Sequence, residues 1–157
     1  MRKLSFIILT GMLAFACTPE KSWTLLSPGG NIQVTVELDN SGVPTYSATF
    51  LSDGAVANAL ERSPLGLLTN GQSFAKDLSF VEARGPETIS DSYRLVTGKK
   101  RDIQYTMSEE ILVFRNAEGA LIELHFRLSD EGFAFRYHFP AEDQDPIIIT
   151  GEVTGFN

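Results

Sequence analysis

The chain has 157 residues, 43% hydrophobic and 21% charged, with 13 Gly and 7 Pro, a composition that suits one globular domain. Its formal charge is −7, and Arg2 and Lys3 at the extreme N-terminus supply two of its 13 basic residues, leaving 11 against 20 acidic ones. Such a surface disfavours nucleic acid as a partner, because that binding rests on Lys and Arg neutralising phosphates.

Residues 1–17 read as a targeting segment of lipoprotein type. Arg2 and Lys3 form the charged start, Leu4–Ala16 the apolar run, and Ala14-Phe15-Ala16 a small-residue cleavage site. Thirteen residues are too few for a membrane-spanning helix, which needs about twenty. Cys17, the single cysteine, follows the site directly. It resembles the acylated cysteine of a bacterial lipobox, with Ala14 where Leu is more usual, and is the expected lipidation site; the alternative is an ordinary secretory signal with an incidental cysteine. Residues 18–22 are then a tether, and the chain is expected to be exported to the periplasm or outer membrane and anchored there by lipid.

The fold begins at Trp23. Trp23–Leu26 reads as an edge strand stopped by Ser27-Pro28-Gly29-Gly30. In Asn31–Leu38, Ile32, Val34, Val36 and Leu38 alternate with polar residues, which predicts a half-buried strand. Asp39-Asn40-Ser41-Gly42 is a turn, and Thr45–Leu51 returns with Tyr46, Ala48 and Phe50 expected inward. Ala55–Glu61 reads as a short strand or irregular segment, Ser63–Leu68 as extended with Pro64 at an edge or strand start, and Thr69–Asp77 as a loop. Leu78–Ala83, Ser92–Thr97, Ile103–Met107 and Ile111–Asn116 are further strand candidates. Turns are expected at Arg84-Gly85-Pro86, Gly98-Lys99-Lys100 and Asn116–Gly119. Short strands at this spacing, without a sustained helical period, predict an all-β antiparallel sandwich.

Ala120–Phe139 carries the plainest pattern. Ile122, Leu124, Phe126 and Leu128 alternate with Glu123, His125 and Arg127; after Ser129–Gly132, Phe133, Phe135, Tyr137 and Phe139 alternate with Ala134, Arg136 and His138. This predicts a hairpin pairing Leu128 with Phe133, Phe126 with Phe135, Leu124 with Tyr137 and Ile122 with Phe139. A one-residue slip would mix its apolar and polar faces. Residues 141–146 form an acidic loop, and Ile147–Thr150 a last strand.

The run from Phe126 to Pro140 resembles the signature Phe-Arg-x-x-x-Asp-Gly-x-Ala-Phe-Arg-Tyr of the N-terminal domain of glycoside hydrolase family 97, with Glu131 as an extra residue before Gly132. Segments 25–32, 63–67 and 98–101 match in the same order. The resemblance spans residues 23–157 and implies an incomplete galactose-mutarotase-like super-sandwich in front of a catalytic (β/α)₈ barrel. It also implies an α-glucosidase- or α-galactosidase-type activity that this domain supports and shapes without catalysing. Calcium is implied for the full-length enzyme, held mostly by barrel carboxylates and by a glutamate expected beyond Asn157, so Glu152 is not assigned as that ligand. The alternative is a stand-alone exported module for carbohydrate binding or other interaction.

The residues themselves indicate no catalytic, cofactor or metal site. Glycoside hydrolysis needs two carboxyl groups roughly 5–5.5 Å or 6.5–9.5 Å apart, one with its pKa raised by burial. Glu109-Glu110, Asp130-Glu131 and Glu142-Asp143 are all expected in solvated turns. His125 and His138 are expected as exposed sheet residues, with His138 opposite Glu123 and His125 opposite Arg136. Glu142-x-x-Asp145 lacks the spacing of a calcium loop. Trp23, Tyr46, Tyr93 and Tyr105 are the candidate sugar platforms, although Trp23 reads better as a plug, and Tyr46 and Tyr137 as core.

Overall fold

The computed structural model describes residues 21–52, 54–99, 101–140 and 146–157. Cys17, its leader, the start of the tether and the pair Glu142-Asp143 lie outside them. Eleven strands and no helix occur among the described residues. Sheet A is a meander of β1 (Lys21–Leu26), β2 (Ile32–Leu38), β3 (Pro44–Ser52) and β4 (Ala55–Pro64), in that order. Sheet C is a second meander of β7 (Ser79–Arg94), β8 (Asp102–Arg115), β9 (Leu121–Ser129) and β10 (Gly132–His138). Between them, β5 (Leu67–Thr69), β6 (Gln72–Ser73) and β11 (Ile149–Glu152) form a small sheet, so the expected loop 69–77 contains a short hairpin.

The two large sheets bury one core between them, an all-β antiparallel sandwich as expected. Sheet A contributes Leu25, Val34, Val36, Leu38, Tyr46 and Ala48; sheet C contributes Leu112, Phe114, Ile122, Leu124, Phe126 and Leu128. Trp23 is the predicted plug, with its ring 4.5 Å from Phe80 and edge-on to Phe114 at 5.6 Å. The β9–β10 register is the predicted one over its described pairs: Leu128 opposite Phe133, Phe126 opposite Phe135, Leu124 opposite Tyr137.

The strand expectations fail in two places. The four strands predicted between Leu78 and Asn116 are two long ones, because neither Arg84-Gly85-Pro86 nor Glu109-Glu110 is a turn. The register shifts between Arg84 and Glu87, where Pro86 without an N–H is accommodated in a bulge within β7. Phe50 has the parity of a core residue but is 42% exposed, since it lies near the end of β3, beyond Ala48, the last buried position of that strand.

Several long-range tethers hold the layers in register. The Gly29 amide donates to Asp130 Oδ1 at 2.8 Å, joining the first turn of sheet A to the β9–β10 turn. The Gly66 amide donates to the Tyr137 hydroxyl at 2.8 Å, which also bonds Thr154 at 2.7 Å. Tyr46 donates to the Gly155 carbonyl at 2.9 Å.

Candidate functional site

Residues on the outer face of sheet C converge on one carboxylate. Glu123 sits between Ile122 and Leu124 on central strand β9, and its side chain is only 8% exposed. Strand pairing places His138 directly opposite it on β10, and His125 lies two residues along the same face. Glu123 Oε2 accepts from His125 Nε2 and from His138 Nδ1, both at 2.8 Å. Glu123 Oε1 is held by Arg84 from β7, whose Nε also pairs with Glu82 at 3.2 Å. On the far side of the first imidazole, Arg136 reaches His125 Nδ1 at 3.4 Å. These contacts fix the tautomers: His125 carries its proton on Nε2 and His138 on Nδ1.

Burial alone would push the Glu123 carboxyl upward. Hydrogen bonds from His125, His138 and Arg84, with the Arg84 charge, overcome that and hold it at about 2. A carboxylate whose pKa falls on folding stabilises the fold above its unfolded value near 4.3, and this stabilisation is lost as the pH falls toward 2. In the metal-free protein we expect about 2–3 kcal/mol to be lost over that window. Thermal melts between pH 7 and 2.5 should therefore fall more steeply for the wild type than for Glu123→Gln. Parallel curves would show that the carboxylate is not held in this way.

The other predicted pairs disperse. Asp130 and Glu131 occupy the β9–β10 turn as expected, with Asp130 used structurally by Gly29. Glu109 and Glu110 are not in a turn but within β8. Glu109 binds Arg127 Nε at 2.7 Å on the outer face, whereas Glu110 lies opposite Phe126 on the core side. Burial raises the Glu110 carboxyl. Glu110 and Glu123 thus project from opposite faces of one sheet and cannot flank a single glycosidic bond. Tyr93 and Tyr105 pair across the β7–β8 arm with ring planes at 63°, which is not a flat stacking platform. Tyr46 is buried, as expected.

The expectation of two exposed histidines is corrected for His125, whose side chain is 11% exposed beneath Arg136; His138 is half-exposed. Arg84 is a site residue that the sequence pattern does not reveal, since it is 39 residues from Glu123 and stands in a stretch expected to turn. A lone glutamate between two apolar residues on a central strand, with a histidine opposite, is the available signal.

The described residues thus form an antiparallel two-layer sandwich that carries one multiply hydrogen-bonded, buried carboxylate on the outer face of a sheet. Residues 25–157 match the Glycosyl-hydrolase 97 N-terminal family, and the chain belongs to that family. It is 30% identical, over 96% of its length, to a probable retaining alpha-galactosidase of Streptomyces bingchenggensis, of which it spans 24%. A crystal structure of a beta-arabinopyranosidase superposes on 85% of the chain with a TM-score of 0.75 and 29% identity, over 21% of that protein. A Glycoside Hydrolase Family 97 enzyme from Pseudoalteromonas sp. strain K8, solved in complex with acarbose, shares the fold at a TM-score of 0.72 and 23% identity; the chain covers 20% of it. The chain thus spans about a quarter or less of these relatives.

Proposed function

We propose that this chain serves as the non-catalytic N-terminal sandwich of a family 97 glycoside hydrolase, supporting and shaping an active site carried by a catalytic domain outside these 157 residues. The observation that carries this reading is the placement of the carboxylates: Glu123 is ionised and tied to three donors, and Glu110 lies on the other face. A general acid must hold a transferable proton near the working pH, and Glu123 does not. By analogy with the relatives, the substrate of the whole enzyme would be an α-galactoside or an α-glucoside.

An apolar groove supports the scaffold role. It lies where β4 and β10 leave the sandwich open, lined by Leu60, Phe133, Phe135, Tyr137 and Phe156. Phe156 is 72% exposed although it stacks on Phe135 at 6.5 Å. Exposed apolar surface of this kind marks a contact region, here for the remainder of the enzyme. The purified 157-residue chain should give no turnover of p-nitrophenyl α-galactoside or α-glucoside above a buffer control. Turnover that survives repurification would overturn the assignment of catalysis to another domain.

A further inference from the structure

We propose that Glu123, His125 and His138 form a binding site for a borderline divalent metal ion, Zn2+ or a similar first-row dication. The ligand atoms are already gathered: Glu123 Oε2, His125 Nε2 and His138 Nδ1 all lie within 4.8 Å of one another. They come from two adjacent strands whose pairing puts Glu123 and His138 face to face, so the backbone fixes their approach. Two imidazoles and one carboxylate suit zinc, which takes three protein ligands and leaves a fourth position for water. They do not suit calcium, which takes six to eight oxygen ligands.

Coordination needs the two imidazoles to re-aim. Metal–ligand bonds of about 2.0–2.1 Å at tetrahedral angles place donor atoms roughly 3.3 Å apart. The present hydrogen bonds to Oε2 are 2.8 Å, so each imidazole must withdraw by about half an ångström, while the two coordinating nitrogens, up to 4.8 Å apart, must draw together by up to about 1.5 Å. His138, half-exposed at the sheet edge, is free to do so and gives the ion a route in.

Protons balance without an external acid or base. Glu123 accepts hydrogen bonds on both oxygens, so Oε2 is available as a carboxylate ligand. On His138 the proton moves from Nδ1 to the outward Nε2. On His125 it moves from Nε2 to Nδ1, where it displaces the long 3.4 Å contact from Arg136. Arg84 does not compete for the coordinating atom, since it holds Oε1 and keeps Glu82 as a second partner. It orients the carboxylate while Oε2 turns to the metal, as outer-sphere partners of metal ligands do. The two nearby guanidinium groups oppose a dication, which sets this site apart from the tight structural zinc sites.

The test is calorimetric titration of the full 157-residue chain with Zn2+, alongside Co2+ titration followed by its visible ligand-field bands. The expected result is saturable 1:1 binding, tetrahedral Co2+ bands that Zn2+ abolishes, and no competition from an excess of Ca2+ or Mg2+. His138→Ala should weaken Zn2+ binding by at least about tenfold while keeping a single cooperative melting transition, at a somewhat lower temperature because a donor to Glu123 is lost. His125→Gln, checked for folding in the same way, should do the same. Three results would overturn the proposal: no saturable binding by the wild type, equal affinity in a folded His138→Ala variant, or octahedral Co2+ bands displaced by Ca2+.

Discussion

Phe126→Ala should destabilise the domain by about 3–5 kcal/mol, the usual cost of deleting a fully buried aromatic ring and leaving its cavity. Phe126 has no exposed surface. It lies opposite Phe135 on β10, with ring centroids 5.4 Å apart, and opposite Glu110 on β8. Its neighbours are fixed on two paired strands, so the cavity cannot close by local collapse. Arg136→Ala, ten residues along and on the outer face, should cost about 0.5 kcal/mol or less. Urea denaturation of both variants compares them directly, and equal midpoints would mean that the faces of β9 and β10 have been exchanged.

Gly42→Ala should be of similar severity for a different reason. Gly42 adopts a φ of 68° in the turn that links β2 to β3. A Cβ there would stand 2.3 Å from the Leu78 amide nitrogen and 2.6 Å from its carbonyl oxygen. The turn is joined to that segment by two backbone bonds, Asp77 N to Ser41 O and Leu78 N to Gly42 O, each 3.0 Å. An alanine adds roughly 1–2 kcal/mol of left-handed strain and must also push the adjoining backbones away from each other, breaking hydrogen bonds worth about 1 kcal/mol each. We expect a total of about 3–4 kcal/mol. Gly119 also has a positive φ, 92°, but faces open space, so Gly119→Ala isolates the conformational contribution and should lose only about 1–2 kcal/mol. A Gly42→Ala loss no larger than that of Gly119→Ala, measured by thermal melting, would show that the contact with Leu78 yields at little cost.

How far these features can be read in the sequence depends on whether their cause is local. The β9–β10 hairpin is legible because its alternation is strict on both sides of a short turn, and a register with one apolar face admits no slip. The Glu123–His138 juxtaposition follows from that register. Arg84 does not, because the Gly85-Pro86 pair beside it signals a turn on its own, and only pairing with Glu109 and Ile111 of β8 keeps the strand going. Phe50 misleads for a similar reason. Parity assigns a face, but whether that face is covered depends on how far the opposite sheet extends. Three of the family motifs have a plain physical basis. Segments 25–32 and 126–140 meet at Gly29 and Asp130, where a Cβ on Gly29 would press on the carboxylate at 2.7 Å. Segment 63–67 brings Gly66 against Tyr137.

Both large sheets are meanders, and this has a consequence for assembly. Every strand within them pairs with its neighbour in sequence, so each layer can zip up through short hairpins. The sandwich itself is closed by the tethers between residues 71, 101 and 109 positions apart: Gly66 with Tyr137, Gly29 with Asp130, Tyr46 with Gly155. The entropy of closing a flexible loop grows only with the logarithm of its length, so these three closures differ by at most about 0.4 kcal/mol if each is made first. No one of them is favoured as the opening contact on chain length alone. Whichever forms first shortens the remaining loops, so that the two layers join by any of several routes of nearly equal cost.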